Sequence, residues 1–299
     1  MKEPAVALRF GAQALEEAAG LWRRLEAEEE PPPFQTLGWA RLWLSHLGGG
    51  AEPWLALAGD PPAGLLALAL RRVAGVRVLS LLGHGTSDYL GPLGTAREPA
   101  WLEALGRALR RAPRRFDLVD LLSLHADPAQ RAALARGLGG SARERAYERC
   151  PLVRIQGGWD DFLRTRSANQ RKNAKRLARR VSAHGAVAIE QEKASPALFE
   201  QLVEVERASW KWEHGLASLR DPARRAFLRE LLLEGGVRHE LWTCRVEGAL
   251  AAFAIVLRGG RTRYYYLASC REDVPRVGSL LLQDLLERSF DDGVTEFDF

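Results

Sequence analysis

The sequence predicts an α/β fold built as two similar lobes, each a mixed sheet flanked by helices. Strand-like and helix-like runs alternate along all 299 residues. The order Trp54–Leu82, helix Trp101–Arg110, strand Phe116–Leu122 is echoed by Leu241–Ser269, helix Ser279–Phe290, strand Glu296–Phe299. Duplication of one α/β unit gives such an echo. The length, about twice that of a common domain, agrees. The division is expected at Gly157-Gly158, giving lobes at 1–156 and 157–299.

In order, Ala12–Glu30 has helical spacing and stops at Pro31-Pro32-Pro33, which cannot continue a helix. Phe34, Trp39, Leu42, Trp43 and Leu47 mark a second helix, stopped by Gly48-Gly49-Gly50. Trp54–Ala58 and Gly64–Leu70 form a hairpin about Gly59-Asp60-Pro61-Pro62. Val76–Leu82 is a strand and Tyr89–Leu93 a short one. Trp101–Arg110, Phe116–Leu122 and Pro128–Leu138 continue as helix, strand and helix, and Cys150–Ile155 closes the first lobe as a strand. In the second lobe Asp160–Arg164 and Ser167–Ala183 are helices, with Ser167 an N-cap. Strand Val187–Glu190 and helices after Ser195-Pro196 and Asp221-Pro222 follow, the Asp-Pro pair being a helix start. Three strands, His239–Val246, Ala249–Leu257 and Arg263–Ser269, lead into the loop Cys270–Gly278 and the last helix.

Composition narrows the function. Hydrophobic residues are 46% and charged residues 27%, with a formal charge of +5 and a pI near 9.4. That surplus alone does not imply nucleic-acid binding. Cys150, Cys244 and Cys270 are far apart with no CxxC pair, which argues against a disulfide framework or structural zinc and for a reducing, cytoplasmic location. The 6 histidines show no metal-ligand spacing, and no metal is expected. Neither a Gly-x-Ser-x-Gly elbow nor a Walker loop occurs, so hydrolase and nucleotidase readings lack their parts. No signal-peptide core opens the chain, and the longest apolar run, Pro61–Leu70, is too short to span a bilayer.

Two features point to anions. Strand, glycine-bearing loop and helix start at Cys270–Leu280 would offer free backbone N–H groups, the positive helix end and Arg276 to a phosphate. The bland alternative makes Arg276 a solvated loop residue and Ser279 an N-cap; Gly278 serves either a close ligand or a turn with positive φ. The second feature is the helix Ser167–Ala183. No acid occurs between Arg164 and Ile189, while Arg171, Lys175 and Arg179 make one stripe and Lys172, Arg176 and Arg180 another. Ala174, Leu177, Ala178 and Val181 face the other way. The helix is a solvated face balanced by Glu200, Glu204 and Glu206, a surface for an acidic substrate, or a tRNA surface.

An ordered set of motifs carries a resemblance: Phe34-Gln35-Thr36 ahead of Trp39, Ser167–Asn173 opening the basic helix, Trp210 before Gly215-Leu216, Phe227 after Asp221-Pro222, Tyr264-Tyr265-Tyr266, Gly278–Leu281, and Glu296–Phe299. From about Pro33 onward the chain resembles the GNAT-type acetyltransferase domain of the CelD-like (cellulose-biosynthesis) group, a relative of the Fem-type aminoacyltransferases. The resemblance implies two tandem GNAT-like lobes and N-acyl transfer from acetyl-CoA or another acyl-CoA to a small amine. It places the pyrophosphate of acyl-CoA at Arg276, Val277, Gly278, Ser279 and Leu280. Fem-type relatives take the acyl group from aminoacyl-tRNA instead, and a non-catalytic scaffold is the alternative of another class. Family members continue beyond the Phe-Asp-Phe strand, so a sequence ending at Phe299 is expected either to lack a last strand or to be a shortened protein of impaired activity.

Amine acylation needs a deprotonated nucleophile, a polarised carbonyl and a protonated leaving group. Asp298, turned by strand alternation away from Phe297 and Phe299, is the candidate to orient or deprotonate the amine, or else is structural. Glu206, one helical turn before Trp210, is the candidate to bind the amine with Trp210 as platform, or else pairs with a nearby cation. Tyr265, facing opposite to Tyr264 and Tyr266, is the candidate proton donor. Arg171 and Lys175 are the candidate substrate contacts on the basic helix.

Overall fold

The computed structural model describes residues 4–112, 116–139, 142–146 and 149–299. The chain divides into two units, Met1–Glu148 and Arg149–Phe299.

In the first unit, β1 (Val6–Phe10) leads into α1 (Gly11–Glu17) and α2 (Ala19–Glu29). The single helix expected here is broken at Ala18. Buried Ala14, Leu15, Ala18, Ala19, Trp22 and Leu25 keep one stripe across the break, so the periodicity hides it. After the prolines comes α3 (Leu37–His46), capped by the Thr36 hydroxyl, which accepts from Trp39 N. A meander of β2 (Glu52–Gly59), β3 (Pro62–Val73) and β4 (Val76–Leu81) follows, then β5 (Leu93–Gly94), α4 (Pro99–Arg111), β6 (Leu118–Asp120) and α5 (Pro128–Leu138). The strand expected at Tyr89–Leu93 is reduced to β5 and a lone Leu90–Leu124 bridge. The main path is β1-β2-β3-β4-β6, antiparallel except for β4–β6. A parallel neighbour needs a crossover, and α4 supplies it.

The second unit repeats the plan. It contains β7 (Leu152–Arg154), α6 (Trp159–Arg164), α7 (Ala168–Ser182), β8 (Val187–Glu192), α8 (Pro196–Arg207), α9 (Trp210–Glu213), α10 (Pro222–Leu233), β9 (His239–Val246), β10 (Ala249–Gly259), β11 (Thr262–Cys270), α11 (Val277–Ser289) and β12 (Glu296–Asp298). The order is β7-β12-β11-β10-β9-β8, antiparallel except for β11–β12, with α11 as the crossover. β7 pairs with β12 through Val153↔Phe297. The strand assigned from sequence to the end of the first lobe therefore belongs to the second sheet, and a division after residue 156 leaves it on the wrong side. An edge strand this short shows no partner in its own pattern.

Leu250–Leu257 of β10 is buried at every position, so helices cover both faces of this sheet. On one face Ala252, Ala254 and Val256 meet Val277, Leu281 and Leu285 of α11, Val181 of α7 and Phe297 of β12. Beside this core Arg263, with only 3% of its side chain exposed, donates to Glu240 (3.1 Å), Ser289 (2.9 Å) and Asp292 (2.7 Å), joining β9, β11 and the end of α11.

Candidate active site

The site is built around β11 and its parallel neighbour β12, which pair through Thr262↔Glu296, Arg263↔Phe297 and Tyr264↔Asp298. The Phe299 N–H continues the pairing of β12 with β7 by donating to Pro151 O (3.1 Å), and β11 runs on to Cys270. Two residues after Tyr264, Tyr266 is an extra residue, since Ile255 faces Leu267 and Val256 faces Tyr265. A bulge of this kind re-aims side chains. Tyr264 and Asp298 face one another at one end of this arrangement, and the loop to α11 follows the far end of β11.

That loop is held in shape. Arg271 grips Asp273 with two bonds (2.9 and 2.6 Å), and the backbone N–H groups of Arg271 and Glu272 donate to Ala251 O and Ala208 O. Arg276 caps α11 in the left-handed region at φ 73, with its side chain exposed. The N–H groups of Gly278 and Ser279 meet no acceptor among the described residues. Two free N–H groups at the start of a 13-residue helix, with Arg276 at its N-cap, make an anion-binding end. Val277 and Leu280 point into the core and can contribute only backbone. Of the two expected reasons for a glycine at 278, the turn with positive φ is absent. A Cβ there would lie 3.0 Å from Cys270 Sγ, so glycine lets α11 sit close on β11.

The candidate catalytic groups separate onto different surfaces. Asp298 faces Tyr264 across the ladder. Burial and the Asp298 charge push the Tyr264 phenol up to about 12. Tyr265 lies on the other face, 6.1 and 6.4 Å from the Phe297 and Phe299 rings, its phenol also raised by burial. Asp298 and Tyr265 are therefore not brought together; the tyrosine beside Asp298 is Tyr264, and the faces follow from strand alternation. Glu206 is fully buried and accepts from the N–H groups of Leu219 (2.6 Å) and Ser218. Burial raises its carboxyl above the usual range, and its Oε1 meets no partner. It clamps a turn of the backbone and offers no carboxylate to solvent. Trp210 is 47% exposed at the start of α9, its ring against His214, and next to it Lys211 donates to Ala268 O (2.7 Å) at the end of β11.

On α7, Val181 is buried and Leu177 packs beside it, while Lys172, Lys175, Arg176, Arg179 and Arg180 are exposed without an ion pair among the described residues. Arg171 turns back onto Arg166 O (2.6 Å). The acids thought to balance this helix are engaged elsewhere: Glu200 with Arg225, Glu204 with Arg207, and Glu206 in its turn. Tyr264, Lys211 and the Arg271–Asp273 grip are not among the residues that the sequence singles out. The alternation that singled out Tyr265 also placed Tyr264 on the Asp298 side and carried the only signal for it.

No helix among the described residues is long and apolar enough to cross a membrane, and none of their His, Cys, Asp and Glu side chains form a metal-holding group. The acetyltransferase (GNAT) domain family model matches residues 168–299. No curated protein matches by sequence. Among solved structures, FemX is similar at a TM-score of 0.64 and 11% identity, over 97% of this chain and 88% of that one. A conserved protein of unknown function from Bacteroides thetaiotaomicron gives 0.60 and 11%, over 98% and 90%. L-PGS from Bacillus licheniformis gives 0.54 and 14%, over 94% and 74%. At these identities the structures speak for the fold alone. Residues 168–299 match a GNAT acetyltransferase domain, the domain of an acyltransferase, and the chain as a whole has a GNAT-like fold of two α/β units.

Proposed function

We propose that the protein is an N-acyltransferase moving an acyl group from acyl-CoA to a primary amine of a small molecule or cell-envelope precursor, in the manner of the CelD-like group, in a reducing, cytoplasmic setting. The observation that carries this is the helix start after β11, where the N–H groups of Gly278 and Ser279 have no acceptor among the described residues and Arg276 is the N-cap residue. In this reading the pyrophosphate sits on that helix end, held by charge-assisted bonds. The acyl thioester lies along β11 beside Asp298. Asp298 accepts an N–H of the incoming amine and holds its lone pair toward the carbonyl carbon. The carbon–nitrogen bond forms as the carbon–sulfur bond breaks, and the proton that the nitrogen sheds passes to Asp298. The thiolate takes a proton from Tyr264, whose phenol burial keeps neutral at physiological pH, and the resulting phenolate recovers a proton from Asp298.

The exposed cations of α7 favour one rival, an aminoacyl-tRNA donor. Calorimetric titration with acetyl-CoA, longer acyl-CoAs and aminoacyl-tRNA at several salt concentrations separates the two. Acyl-CoA binding with a shallow salt dependence is expected. Binding of aminoacyl-tRNA alone, falling steeply with salt, would replace the donor, and binding of neither would leave a scaffold.

A further inference from the structure

A second polar constellation lies within the first unit, at the ends of its parallel strand pair. Arg71 faces Val78, and Ser80 faces Asp120. Alternate residues share a face, so Arg71 and Asp120 project from the same side of the sheet, two positions apart along β4. His84 follows in the turn after β4, its N–H on Leu81 O (3.2 Å). Asp120 occupies in β6 the place of Asp298 in β12, the last residue of a three-residue strand parallel to its neighbour.

All three side chains are half-buried and feel one another's charge. Burial lowers the pKa of both Arg71 and His84, the Arg71 charge lowers His84 further, and the Asp120 charge opposes the shift in both. None of the three hydrogen-bonds to another among the described residues. Arg71 Nε and His84 Nδ1 are both closed off from solvent and without a partner. The Ser80 hydroxyl on the same face is turned to Ala69 O (3.4 Å). Unmet buried groups are costly, so two in one cluster call for a reason.

The three groups state what would satisfy them together. A ligand must accept from the guanidinium, bond to the imidazole and give a hydrogen to the Asp120 carboxylate. A fully ionised anion meets the first two demands and is repelled by the third. A phosphate group that keeps a P–OH meets all three. We propose that Arg71, His84 and Asp120 form a site in the first unit for a phosphate monoester, with Asp120 selecting the form that carries a hydroxyl. Inorganic phosphate is the simplest probe, and sulfate, which has no hydrogen to donate at neutral pH, is its control.

The test follows the His84 ring signal of the full chain by proton–carbon NMR, assigned with His84→Gln. Phosphate should move that signal saturably, and sulfate should bind at least about tenfold more weakly. Arg71→Gln should weaken phosphate by about tenfold or more. Asp120→Asn, close to isosteric and able to donate, should bring the two anions to similar affinity. Equal uptake of both anions by the unaltered protein, an adventitious ion only, would overturn the proposal. So would a silent His84 signal, or an Asp120→Asn protein that keeps the preference while its melting temperature is unchanged.

Discussion

Replacing Arg276 with glycine separates the two things that residue does. Its backbone sits at φ 73, where a side chain costs roughly 1–2 kcal/mol and glycine costs nothing. Its side chain is exposed, two and three residues ahead of Gly278 and Ser279, whose N–H groups are free among the described residues. Arg276→Gly should therefore fold at least as stably as the parent while losing one charge-assisted bond to the pyrophosphate. Such a bond is worth about 1.5–3 kcal/mol, and solvent screening at an exposed position favours the low end. Affinity for CoA should fall about tenfold. Arg276→Ala should lose the same affinity and keep the backbone strain, so its melting temperature should lie below that of the glycine protein. Calorimetric titration with CoA and a thermal melt of each protein decide the matter. Parental CoA affinity in a well-folded Arg276→Gly protein would refute the phosphate site.

Gly278→Ala brings a methyl group to 3.0 Å from Cys270 Sγ and should cost roughly 1–3 kcal/mol in urea unfolding; Cys270→Ala in the same chain should recover much of it, and additivity would exclude the contact as the cause. Glu240→Ala leaves the buried Arg263 guanidinium with Asp292 as its remaining acid and should cost about 3 kcal/mol by the same assay. Glu206 binds its proton more tightly folded than unfolded, so its contribution to stability falls as pH rises from its ordinary 4.5 through the raised folded value. Glu206→Gln should remove that fall, by up to about 1.4 kcal/mol per pH unit across the window. Unfolding curves from pH 4 to 8 that stay parallel for the two proteins would show that Glu206 does not titrate there.

Much of this architecture is written in local signals. The hairpin about Gly59, the Asp221-Pro222 helix start and the loop ahead of α11 are each set by residues adjacent in sequence. The echo between β2–β6 and β9–β12 was visible because both parallel pairs require a crossover helix. What escaped depends on partners distant in the chain. β7 is only three residues, and its sheet is fixed by Phe297 more than a hundred positions on. The closeness of Cys270 to Gly278 has no local signal, since the two meet only when α11 lies on β11. Glu206 shows a helical pattern that fits an exposed or a buried acid equally, and only the turn at Ser218–Leu219 settles which. The Arg71–His84–Asp120 cluster joins three strand ends that no motif links.

The most direct test of the acyl-donor site is an amide NMR titration of the chain with CoA. The account predicts that the largest shifts fall on Gly278, Ser279 and the Arg271–Arg276 loop, with smaller ones at Tyr264 and Asp298. Saturating CoA that leaves the Gly278 and Ser279 amides unmoved would contradict it.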